Sequence, residues 1–146
     1  MKESTLVIIK PDAYSRGLLG YIITFFEKTQ LKIIHLKVKT LDPGDVDVLY
    51  AEHRDKDHYP DLRSMMCTGP SVIMEVYGED AVQRVSDLVG SIDEPGTIRG
   101  DFATDIRHNC VHRSDSKEAA LRELIYFTGW KHCPECNRIQ SNYSDR

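Results

Sequence analysis

The chain has 146 residues, 40% of them hydrophobic and 29% charged, with a formal net charge of −4. That length suffices for one soluble domain with a real core, and its apolar runs, such as LVII at 6–9, are far too short to span a bilayer. The acidic balance leaves no basic footprint for nucleic acid, so a nucleic-acid-binding module is the disfavoured class.

The start of the chain, MKESTLVIIKPD, runs straight into a strand pattern and lacks the h-region and cleavage site of a signal peptide. Without secretory context, Cys67, Cys110, Cys133 and Cys136 read as reduced thiols in a cytoplasmic compartment.

Thr5-Leu6-Val7-Ile8-Ile9 is a buried strand pattern that stops at Lys10-Pro11-Asp12. Leu18, Ile22, Phe25 and Phe26 share one face of a helix over about 17–29. Ile34, Leu36 and Val38 alternate with His35, Lys37 and Lys39, which predicts a half-buried strand. Polar helical segments follow around 44–54 and 60–66. Val72, Met74 and Val76 form a third strand pattern, and Ala81 to Val89 an amphipathic helix. An irregular stretch, 90–107, is punctuated by Pro95, Gly96 and Gly100, and leads to a short fourth strand at 110–112. Asp115, with Glu118 three residues on, predicts the capped start of a last helix that runs through Phe127. The order is that of an α+β, ferredoxin-like βαββαβ antiparallel sheet, helices on one face, plus a C-terminal helix. Residues 1–128 are expected to form the domain, with 129–146 a polar tail.

The octapeptide NCVHRSDS, 109–116, surrounds His112 with hydrogen-bonding groups. A nucleophilic imidazole needs one ring nitrogen free and the other holding its proton against a fixed acceptor. Glu123, at the margin of the last helix's apolar stripe, is a candidate acceptor. Read alone, the stretch fits equally well a core histidine beside a solvated glutamate. Two further segments bear on this. IIKPDAYSRG, 8–17, sets Lys10 at a strand end, and PGTIRGDF, 95–102, sets Thr97, Arg99 and Asp101 in a glycine-punctuated loop. Cationic, hydroxyl and backbone donors on such loops are what a polyphosphate needs.

Lys-Pro-Asp near the start, YAEH at 50–53, TGP at 68–70, PGTIRGDF and N-x-x-H-x-SDS, in this order, resemble the nucleoside diphosphate kinases. The resemblance runs from about Thr5 to Phe127. It implies transfer of the terminal phosphate of a nucleoside triphosphate to a nucleoside diphosphate, ping-pong through a phosphohistidine. Carried over residue by residue, it makes His112 the nucleophile, oriented by Glu123 with Ser114 near it. Lys10 and Asn109 reach ribose and phosphates, Tyr50 sits by the histidine, and Arg99 clamps phosphate. Mg²⁺ is the implied cofactor, carried mainly by the nucleotide phosphates rather than by a protein cage. Homo-oligomers built from dimers are the implied assembly.

The chain departs from that pattern at several places. The loop before PGTIRGDF is cut to SIDE, and its phosphate-contacting threonine falls on Ile92, which cannot donate a hydrogen bond; Ser91 is the nearest substitute. A phosphate-binding arginine falls on Ser86, with Arg84 elsewhere around the helix. The base-stacking aromatic falls on His58, with Tyr59 beside it and Ile106 covering the other face. The glycine after the nucleophile is Arg113, which strand alternation turns away from the pocket, toward a partner subunit or the helix layer, unless the strand end at Ser114-Asp115 lets the guanidinium curl back to the phosphates and offset the missing arginine. These changes keep a second function open, a weakly active or inactive nucleotide-binding regulatory protein of the same fold. In HCPEC, Cys133 and Cys136 are half a zinc site, with His132 a third ligand and a symmetry-related tail the means of completing it, against the simpler reading of an exposed thiol pair in a loose tail.

Overall fold

The computed structural model describes residues 1–129; His132, Cys133 and Cys136 lie outside them. Its elements are β1 (Lys2–Ile9), α1 (Pro11–Ser15), α2 (Leu19–Glu27), β2 (Lys32–Thr40), α3 (Pro43–Leu49), α4 (Tyr59–Met66), β3 (Pro70–Glu79), α5 (Ala81–Val89), α6 (Ile98–Phe102), β4 (Val111–Arg113) and α7 (Lys117–Thr128). The four strands form one sheet in the order β2-β3-β1-β4, every neighbouring pair antiparallel. This is the ferredoxin-like arrangement expected from the periodicity.

β1 is central and apolar on both faces. Val7 and Ile9 join Ile22, Phe26, Val85 and Val89 in the core under α2 and α5. Leu6 and Ile8 face the other way, into a second core with Val46, Tyr59, Met66, Leu124 and Phe127. The C-terminal helix α7 thus shares the second face with α3 and α4. Those two helices link β2 to β3, where a simple hairpin would leave that face bare. No helix of the described residues is long and apolar enough to cross a membrane.

Three local expectations change. The first helix is split, because Gly17 takes a left-handed turn (φ 72°) between α1 and α2. The cap of α7 is Ser116, whose hydroxyl accepts from Ala119 N at 3.0 Å, while Asp115 pairs with Arg113 instead. In β2 the register shifts between Ile33 and His35. Beyond it, Leu36 and Val38 are 44% and 53% exposed, and Lys37 and Lys39 point to the half-buried side. Lys39 pairs there with buried Asp45 at 3.1 Å.

Candidate active site

β4 positions His112. The residue sits opposite Ile8 in the register, on the sheet face covered by α7. Glu123 comes from α7, and its Oε1 accepts from His112 Nε2. The carboxylate is 1% exposed and the histidine 9%. A carboxylate that deep would be costly alone, so the pair fixes the ring. With the proton assigned to Nε2 by that bond, Nδ1 keeps its lone pair. Tyr50, just after α3, stands edge-on to the imidazole, ring centroids 5.4 Å apart at 80°. Burial holds the Tyr50 hydroxyl protonated far above its usual range.

A cavity of about 740 Å³ opens over this group. Lys10 enters it from the end of β1, nearly buried. Its ammonium donates to Arg107 O at 2.8 Å and Asn109 Oδ1 at 2.9 Å. Three donors and two acceptors leave one N–H for a ligand. Burial lowers its pKa to about 8, against the pull of Asp12. Asn109 is itself braced, its amide donating to Ile106 O at 2.9 Å. Cys110, in a left-handed conformation (φ 75°), turns the chain between Asn109 and β4. Asp12 accepts from Cys110 N at 3.2 Å and so ties that turn to α1.

Arg99, on the single-turn helix α6, donates to Val111 O at 2.9 Å. Burial first, and then the nearby Arg113 charge, push its pKa below the usual arginine value. Two other polar side chains of PGTIRGDF shape the loop. Thr97 caps α6, accepting from Gly100 N at 3.1 Å. Asp101 accepts from Gly96 N at 2.9 Å. Gly100 admits no side chain, since a Cβ there would lie 1.7 Å from Glu94 O.

The cavity also gathers His58 and Ile106 at its mouth. Tyr59 is not a substitute for His58, because its buried hydroxyl is bound to Asp47 at 2.5 Å. Two residues named from the sequence fall outside the lining. Ile92 is 39% exposed on the turn that replaces the longer loop. Ser114 is buried, but its hydroxyl points to Leu6 O at 3.5 Å rather than to Glu123. Ser86 and Arg84 are likewise absent from the wall, and Arg84 reaches Glu79 O. Arg113, expected to face away, lines the cavity beside His112. Reading the sequence missed Arg107, whose carbonyl holds Lys10 and whose guanidinium reaches Asp61 at 3.5 Å across the mouth. No local pattern marks it, since both partners come from distant elements.

Four carboxylates line this wall: Glu123 is engaged by His112 and Asp115 by Arg113, and the other two are Glu52 and Glu118. Among the described residues no group of three or more His, Cys, Asp or Glu is placed to hold a metal ion.

The nucleoside diphosphate kinase family model matches residues 3–131. A nucleoside diphosphate kinase of Pyrococcus abyssi is 47% identical over 134 residues, covering 86% of this chain and 84% of its own. Nucleoside diphosphate kinase 2 of Protochlamydia amoebophila is 44% identical over 129 residues, covering 86% and 90%. The Aquifex aeolicus enzyme superposes with a TM-score of 0.84 at 33% identity, over 90% of this chain and 97% of that one. A halophilic nucleoside diphosphate kinase from Halobacterium salinarum, in complex with CDP, gives 0.83 at 39% identity, over 87% and 88%. With a relative near half identical and a matching fold around an intact histidine, the chain belongs to the nucleoside diphosphate kinase family of enzymes, which transfer phosphate between nucleotides.

Proposed function

We propose that the chain carries out this transfer in two half-reactions through a phosphohistidine on His112. The observation that carries the reading is the His112–Glu123 pair, which leaves Nδ1 free on the wall of a cavity that Lys10, Arg99 and Arg113 also line. In the first half-reaction the Nδ1 lone pair attacks the terminal phosphorus of a nucleoside triphosphate. An N–P bond forms, the P–O bond to the β-phosphate breaks, and the diphosphate leaves with the electron pair. The ring becomes cationic, and Glu123 stabilises it through Nε2–H. In the second half a terminal oxygen of the acceptor diphosphate attacks phosphorus, and the N–P electron pair returns to Nδ1. Lys10 and Arg99 neutralise the phosphates, since phosphoryl transfer depends on positioning and charge more than on covalent help. Lys10 and Asn109 also hold the ribose end, and Tyr50 packs the imidazole. His58 and Ile106 take the base between them without base-edge hydrogen bonds, which makes the site tolerant of the base. Enzymes of this family generally need a divalent cation, here assigned as Mg²⁺, which neutralises phosphate charge when bound.

The same reading takes residues 1–128 as the catalytic body and 129–146 as an appended tail. It also takes the protein to work as a homo-oligomer built from dimers. The exposed apolar stripe of Leu36 and Val38 on the edge strand β2 supports that assembly. The transfer is tested by incubating the protein with γ-labelled nucleoside triphosphate. An acid-labile, base-stable phosphoprotein that chases onto added diphosphate is expected, and none from His112→Ala. Turnover retained in His112→Ala would sink the assignment, and nucleotide binding without label would favour a regulatory protein.

A further inference from the structure

In β4 His112 stands opposite Ile8 and Arg113 opposite Val7, so their side chains leave opposite faces of the sheet. The strand ends at Arg113, however, and its side chain reaches the cavity that His112 lines. Arg99 lies close enough that the Arg113 charge is felt there. Both arginines have an Nε that is buried without a hydrogen-bond partner among the described residues. Two desolvated guanidiniums on one wall repel each other, and each leaves a donor unused. The Asp115 carboxylate that pairs with Arg113 is 76% exposed, so it offsets little of this. The buried Nε atoms are out of a ligand's reach, so an anion in the cavity would be met by the Nη groups that Val111 O and the Asp115 carboxylate leave free, in the planar fork that suits a multivalent anion. Ser86 and Ile92 lie outside the cavity and supply no donor there.

We propose that Arg113 and Arg99 together clamp the terminal phosphoryl group of the nucleoside triphosphate next to His112, with Arg113 supplying the donor that Ser86 and Ile92 do not. This deepens the reading above and rests on it. Phosphoryl transfer spreads charge over the equatorial oxygens of the moving group. Arg113, lining the cavity with His112, is placed to meet that charge.

Binding to the full chain tests the clamp separately from turnover. In the His112→Ala background, calorimetry with Mg²⁺ and a nucleoside triphosphate should show Arg113→Ala losing about tenfold in affinity, as expected for one charge-assisted bond. Nucleoside diphosphate, lacking the terminal group, should lose clearly less. Arg113→Lys should recover part of the loss, because it keeps the charge without the fork. With His112 present, Arg113→Ala should lower kcat/KM about tenfold at an unchanged sizing profile. Equal losses for tri- and diphosphate, no loss at all, or a loss that follows a changed oligomer would overturn the proposal. If the wild type formed no phosphohistidine, the transfer mechanism would fall, and the tri- versus diphosphate difference would still decide the clamp.

Discussion

A buried carboxylate and a buried imidazole are each costly alone, and His112 and Glu123 remove that cost for one another. The bond also decides which nitrogen can react. Glu123→Gln keeps an oxygen that accepts the Nε2 proton but loses the negative charge that, in the proposed mechanism, steadies a cationic phosphohistidine. Its kcat should fall by roughly ten- to a hundredfold, less than the general acid–base maximum of about 10⁴, with triphosphate affinity nearly unchanged; steady-state kinetics beside calorimetry separates the two effects. Lys10 carries a pH signature. Burial lowers its pKa to about 8 from 10.5, so its charge is lost as pH rises through about 8. Triphosphate affinity should therefore fall between pH 7 and pH 9, and Lys10→Met should flatten that dependence. The sign for stability is opposite: between about 8 and 10.5 the unfolded chain binds more protons at this group, so its contribution to stability rises with pH. A pH series of calorimetric titrations and of melts reads both.

Among the elements, α6 shows how a five-residue helix can hold Arg99, the arginine proposed to bind phosphate. Thr97 accepts from Gly100 N and donates to Glu94 O at 2.7 Å, while Glu94 N closes a turn onto Ser91 O at 3.1 Å. The shortened loop is thus a compact brace for α6, and this is why Ile92 sits outside the cavity. Losing the cap in Thr97→Ala should cost about 1 kcal/mol, read as a lower melting temperature. The same variant should raise KM, since Arg99 leaves from that single turn. Thr97→Ser keeps both hydrogen bonds and should restore both properties; a serine variant as impaired as alanine would place the role in the threonine methyl group instead.

For the molecule as a whole, the open edge of β2 is the feature a single chain leaves unexplained. Leu36 and Val38 oppose Met74 and Val72, whose face α2 and α5 bury. They lie one strand further out, at the sheet edge, and stay 44% and 53% exposed. If this stripe is the dimer contact, Val38→Lys should shift sizing profiles toward the mass of a single chain. The melting temperature measured at low concentration should barely change, because the side chain is already half exposed. The order and type of the main strands and helices were legible in the chain's own periodicity, because the spacing of apolar residues sets which side of an element can be buried. The candidate site residues could be named from the chain because they lie in contiguous segments, and the fold brings Lys10, Tyr50, Arg99, Asn109, His112 and Glu123 to one cavity. The reading failed where a neighbour in space decides the outcome. A bulge at Ile34 reversed the faces of β2, since one extra residue moves every later side chain to the other side. Ser114 took the Leu6 carbonyl, and Arg113 rounded the end of its strand into the cavity. Alternation is a property of paired backbone, and it ceases to constrain a long side chain where the pairing stops; only the packed sheet, with α7 laid over it, determined where those groups came to rest.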